Sequence, residues 1–201
     1  MFTVPRALPR QVTSPVVTVL ARLGVTPNML TIAQLVVGIA AGYVIATGEL
    51  AWGGVIMITG ALLDAFDGAL ARTTGKVTRF GGVFDSTIDR LFEGAVLAGV
   101  LYFFLERGDK LESMLVFIAA VGSLSVSYVR ARAGQAGVEL YDGLFTRAVR
   151  IILLTAGLLV GVGGLTVILW LLAVMTILTT LHRLVVSWQR LSEVEAKEHQ
   201  A

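Results

Sequence analysis

The sequence predicts an all-α integral membrane protein, with six transmembrane helices preceded by an N-terminal interfacial amphipathic helix, folded as one domain over residues 1–201. Three observations carry this prediction. Hydrophobic residues make up 56% of the chain and charged residues 15%, with a mean hydropathy of +0.82, outside the usual composition of a water-soluble domain. Apolar stretches recur at about 29–46, 50–71, 80–105, 113–129, 148–163 and 165–186, most of them near the ~20 residues that cross a ~30 Å hydrocarbon core. The connections between them are short and polar. MFTVPRALPR opens polar and proline-containing, which argues against a cleavable signal peptide. There is no cysteine, so disulfides and thiolate metal sites are excluded.

Along the chain, residues 11–23 (QVTSPVVTVLARL) place Val12, Val16, Val19, Leu20 and Leu23 at helical spacing, as an interfacial helix requires. Pro27 breaks it and suits the first turn of a new helix, with Thr26 as its cap. The six-helix bundle then occupies about 28–190. Its outer connections, GELAW, ERGDKLE and GVGG, are too short to fold into a binding domain. TTGKVTRF at 73–80 is a tight turn between antiparallel second and third spans. Residues 191–201 form a polar tail, read as a frayed helix end.

All 16 lysines and arginines except Arg107 and Lys110 fall on one side if the N-terminus is inside. Positive charge accumulates in cytoplasmic loops, so both termini and any chemistry are expected on the cytoplasmic face of the cell membrane. That basic face meets anionic lipid headgroups, and no nucleic-acid partner is needed to explain it. Trp52 and Trp188 suit membrane interfaces. Gly38 and Gly42, or Gly157 and Gly161, suit close helix packing or a dimer, and a homodimer is expected. His182 and His199 read as interfacial and tail residues.

The chemistry is expected in LLDAFDGALARTTGKVTRFGGVFDSTIDR, residues 62–90, where four aspartates interrupt two apolar runs. Counted from the turn at ~1.5 Å per residue, Asp67 and Asp85 lie roughly 7 to 8 Å into their helices, Asp64 and Asp89 roughly 12 to 14 Å. Spacings of three and four residues put each pair on one helical face. Like charges at ~4 Å cost on the order of 4 kcal/mol per pair at an effective dielectric of ~20, so a cation is required. An all-oxygen donor set suits Mg²⁺ or Mn²⁺, and four carboxylates suit two ions. Magnesium usually recruits substrate phosphates. Gly68, Ala71 and Gly81 leave room between the helices, and Arg72 can reach a phosphate oxygen.

Asp64, Asp67, Gly68, Ala71, Arg72, Gly81, Asp85 and Asp89 match the D-x2-D-G-x2-A-R-x8-G-x3-D-x3-D signature, and the chain resembles the CDP-alcohol phosphotransferase family. The resemblance implies a membrane enzyme that displaces CMP from a CDP-linked lipid, CDP-diacylglycerol or CDP-archaeol, with an alcohol. It assigns Asp64, Asp67 and Asp85 to the metals and Asp89 both to the metals and to deprotonating the acceptor. Gly68, Ala71, Arg72, Thr78 and Gly81 would bind the CDP-lipid. SYVRARA at 127–133 is similar to a segment of prokaryotic phosphatidylinositol phosphate synthases. With TRAVR at 146–150 it supplies Arg130, Arg132, Arg147 and Arg150 for the phosphate of a phosphorylated polyol such as inositol 1-phosphate. TRAVR lacks acidic and proline residues associated with that segment, which leaves glycerol 3-phosphate or another polyol phosphate open, with serine as a further alternative acceptor. A transporter would instead scatter polar residues through the midplane and break paired helices.

Overall fold

The computed structural model describes residues 10–140 and 145–198. Arg6, His199 and the last residues of the tail lie outside the described residues. Seven helices follow in order: α1 (Arg10–Arg22), α2 (Pro27–Ala46), α3 (Leu50–Thr74), α4 (Arg79–Glu106), α5 (Lys110–Gln135), α6 (Arg147–Val160) and α7 (Val162–Glu198), with no strand among the described residues. Four are long and apolar enough to cross a membrane: α2, α3, α5 and α7 over Val162–Glu193. Helix α4 has the length but carries Asp85, Asp89, Arg90 and Glu93. Helix α6 has 14 residues, about 21 Å of rise against the ~30 Å of a hydrocarbon core.

The chain divides into two compact units, Met1–Gly99 and Val100–Ala201, the division falling within α4. In the first unit, Thr26 caps α2 by accepting the Met29 N–H, with Pro27 at the first helical position. The turn after α3 is sharper than the eight residues TTGKVTRF suggested. Gly75, at φ 67°, ends α3, and α4 begins at Arg79. Left-handed backbone costs an L side chain energy that glycine avoids.

The apolar pattern of α1 resolves into two faces. Val17 is buried in a cluster with Leu30, Ala69 and Leu70, and Leu20 and Ala21 pack against it. Val16, Val19 and Leu23, expected on the same stripe as Leu20, are exposed.

Helices α2, α3 and α4 close around Phe92, which is fully buried. A Cβ added at Gly38 or at Gly60 would run into the Phe92 ring, so this one ring fills a notch in α2 and another in α3. A turn further along, Gly42 lies against the Ala95 carbonyl and Gly99 against Gly42 itself. Gly38 and Gly42 thus serve helix packing within the chain, the role small residues play in lipid, where backbones must approach closely for dispersion contacts to accumulate.

In the second unit, Gly122 of α5 accommodates Thr176 of α7, and Gly157 of α6 packs on Leu165 and Ile168 of α7. Gly161, at φ 96°, terminates α6, and its N–H bonds the Gly157 carbonyl. The expected break at GVGG therefore shrinks to one residue. Helix α7 continues through Glu198, well beyond the predicted end at 186.

Candidate active site

The aspartates come from facing helices of the first unit. Asp64 and Asp67 sit on α3, before its Gly75 stop, and Asp85 and Asp89 on α4, after the turn. One carboxylate oxygen from each of Asp64, Asp67 and Asp85 lies within 4.8 Å of the other two. Asp67 is buried, at 5% exposure, while Asp64 and Asp85 are half-buried. Three carboxylates this close repel one another by on the order of 4 kcal/mol per pair. Regular helix backbone holds them together, so the arrangement fits a divalent cation with oxygen ligands. Asp89 is not part of that triple.

Two residues of α2 complete the surroundings, and neither was legible as a site residue. Buried Thr31 donates its hydroxyl to Asp67 Oδ2 at 2.7 Å. Buried Gln34 donates from Nε2 to Asp89 Oδ1 at 3.0 Å. These partners lie 36 and 55 residues away in the chain, beyond any local spacing rule. The available signal was weak: two polar residues three apart on one face of an otherwise apolar span.

Around the triple, Arg72 is exposed and folds back over Gly68, where an added Cβ would lie 3.1 Å from its Nη1. The three heavy atoms nearest that position all belong to the Arg72 guanidinium, so Arg72 is the side chain that covers the face of α3 at Gly68. Ala71 is half-buried. Thr78 is exposed, and its hydroxyl accepts the Gly81 N–H at 2.9 Å, capping α4.

The arginines of the second unit separate into different settings. Arg150 is buried, Arg147 half-buried, and Arg130 and Arg132 exposed. Arg132 donates to Gln135 at 2.8 Å on its own helix. Arg183 of α7, counted in the sequence only toward topology, is buried and donates from Nη1 to the Val126 carbonyl at 2.7 Å. Its Nε is buried without a hydrogen-bond partner. Arg190 holds the segment after α5 by donating to the Glu139 carbonyl at 2.7 Å. His182 is exposed.

Helices long and apolar enough to cross a membrane, together with a cluster of converging carboxylates that suits a divalent cation, fit a metal-dependent membrane enzyme. The profile of the CDP-alcohol phosphatidyltransferase family matches residues 24–182, and the chain belongs to that family. It is 45% identical over 136 residues to an archaetidylinositol phosphate synthase of Pyrococcus horikoshii, covering 67% of this chain and 70% of that one. It is 36% identical over 182 residues to a phosphatidylinositol phosphate synthase of Mycobacteroides abscessus, covering 87% and 82%. The crystal structure of the Mycobacterium tuberculosis phosphatidylinositol phosphate synthase with CDP-DAG bound superimposes with a TM-score of 0.83 at 33% identity, over 89% of this chain and 94% of that one. The same enzyme in complex with manganese and citrate gives 0.82 at 34% identity, over 88% of each chain.

Proposed function

We propose that this enzyme transfers the phosphatidyl or archaetidyl group of a CDP-linked lipid to inositol 1-phosphate, releasing CMP. The observation that carries the reading is the convergence of Asp64, Asp67 and Asp85 within 4.8 Å on adjacent helices. The names of the relatives, archaetidylinositol phosphate and phosphatidylinositol phosphate synthases, support the acceptor. The buried pair Arg150 and Arg183 supports an alcohol that brings its own phosphate, since serine or a free polyol gives no reason to bury two guanidinium groups.

Asp64, Asp67 and Asp85 hold the metal, with two ions expected and Asp89 contributing to their coordination. When bound, the cations neutralise the diphosphate and the departing CMP. Arg72, freed from Gly68, holds a diphosphate oxygen, and Gly68, Ala71 and Gly81 leave space for the nucleotide beside α3 and α4. Thr78 fixes the first turn of α4 at that place. Asp89 removes the proton of the acceptor hydroxyl. The new bond joins that oxygen to the lipid-bearing phosphorus, the bond from this phosphorus to the CMP oxygen breaks, and the electron pair leaves with CMP. A well-placed base contributes about 10² to 10⁴-fold, and holding two substrates in line supplies much of the rest. Arg130, Arg147 and Arg150, with Arg183 added and Arg132 at the rim, bind the acceptor phosphate.

The membrane arrangement follows the same reading. Helices α4 and α6 join the four apolar spans to give six, α4 tolerating its acids because they line a polar site. Both termini and the site face the cytoplasm, and the exposed apolar face of α1 lies in the lipid interface. The chain works as one catalytic domain and assembles as a homodimer.

CMP release by the purified protein with Mg²⁺ or Mn²⁺ tests the reading. Each CDP-lipid is offered with inositol 1-phosphate, glycerol 3-phosphate, serine or free inositol. Release with inositol 1-phosphate alone is expected. Release with glycerol 3-phosphate or serine instead overturns the acceptor, and release with none overturns the reaction.

A further inference from the structure

Gln34 has no exposed surface, and a buried amide needs a reason. Its Nε2 is used by Asp89 Oδ1, but its Oε1 is buried with no hydrogen-bond partner. An orphaned carbonyl costs stability, whereas an apolar side chain of similar length would fill the same space at no such cost. Packing alone therefore does not account for glutamine here. An ionised carboxylate accepts and cannot donate, so the amide must turn its NH₂ toward Asp89 and leave its oxygen stranded.

We infer that Gln34 is a positioning residue for Asp89: it engages Oδ1 and so fixes the orientation in which the carboxylate meets the acceptor hydroxyl. The inference deepens the proposed reaction and rests on Asp89 as its base. The backbone makes the reach possible. Gly42 and Gly99 bring α2 and α4 into close contact, and the Phe92 ring, three residues beyond Asp89, is seated on Gly38, four residues beyond Gln34. A long, flexible amide is thereby held in one place, and aspartate loses its freedom to rotate. Thr31, three residues earlier on α2, engages Asp67 in the same manner. One face of α2 thus addresses an acid on each of two other helices.

The test is Gln34→Met in the full-length protein, which keeps the length and removes the donor. The expected result is a kcat about tenfold to a hundredfold lower, the loss that small misplacement of a reacting group produces. KM for both CDP-lipid and acceptor should stay within about twofold, and the melting temperature should be equal or higher. A packing role predicts the opposite pattern, unchanged kcat or a loss that tracks the melting temperature, and either result overturns the inference. If Gln34→Met does not fold, Gln34→Leu, which likewise offers no donor, is judged by the same kcat and KM criteria. Asp89→Asn separates the two levels. Turnover in that variant refutes the base itself, whereas an inactive Asp89→Asn beside a fully active Gln34→Met refutes only the positioning.

Discussion

Replacing Thr31 by valine removes one hydroxyl from beside the aspartate cluster and little else, because valine keeps the branched shape at a buried position. The Thr31 hydroxyl has a single proton and two acceptors in range, Asp67 Oδ2 at 2.7 Å and the Pro27 carbonyl at 3.1 Å. The shorter contact to the charged acceptor takes it. A hydrogen bond to a charged group contributes ~1.5–3 kcal/mol, which at ~1.4 kcal/mol per factor of ten corresponds to about a 10- to 100-fold change in a binding constant. Loss of an outer partner of a metal ligand costs ~10–100-fold in affinity by mutational experience, so two independent estimates agree. Titration of Mn²⁺ into the purified protein measures the change directly, with Thr31→Ser as the variant that retains the donor. Thr31→Val is expected to bind Mn²⁺ more weakly by that factor and Thr31→Ser close to wild type. A folded Thr31→Val with affinity within about twofold of wild type would refute the reasoning that Asp67 is a ligand oriented from α2.

Asp89→Asn is expected to abolish CMP release while leaving CDP-lipid binding largely intact, a separation that equilibrium binding and turnover measured on one preparation will resolve. Arg150→Ala and Arg183→Ala should each raise KM for inositol 1-phosphate about tenfold or more, the size of a charge-assisted hydrogen bond to phosphate. An unchanged KM removes that arginine from the acceptor site. Gly99→Val drives a side chain into the Gly42 carbonyl and should destabilise the fold by ~1–3 kcal/mol or more; an unaltered melting temperature would show that α2 and α4 do not meet there.

What could be read without the structure follows from how local each signal is. The aspartates announced themselves because three- and four-residue spacings lie within single helices, and a short turn forces the two helices together. Thr26 and Pro27 were legible for the same reason. The stripe on α1 was only half right: helical spacing identifies Val16, Val19, Leu20 and Leu23 as apolar but cannot decide which face meets protein and which meets its surroundings. Val17, omitted from that stripe, is the residue that packs. Arg183 was hidden by the general excess of positive charge among the helix ends and loops, against which one buried arginine does not stand out. Thr31 and Gln34 were hidden because their partners are distant in the chain and because a lone polar residue in a membrane span has many uses. The α6 to α7 junction was legible at GVGG, but not its brevity: hydropathy stays high around Gly161, the one residue where the backbone leaves the helix.

The seating of Phe92 has a consequence for how this protein can vary. One ring occupies space taken from two glycines on two other helices, so positions 38, 60 and 92 behave as a single trait. A larger residue at 38 or 60 collides with the ring, while a smaller residue at 92 leaves both notches void. Either change made alone costs stability. A change at any of the three is best accommodated by changes at the others, and because Asp89 is three residues from the ring, repacking this point would also disturb the placement of Asp89.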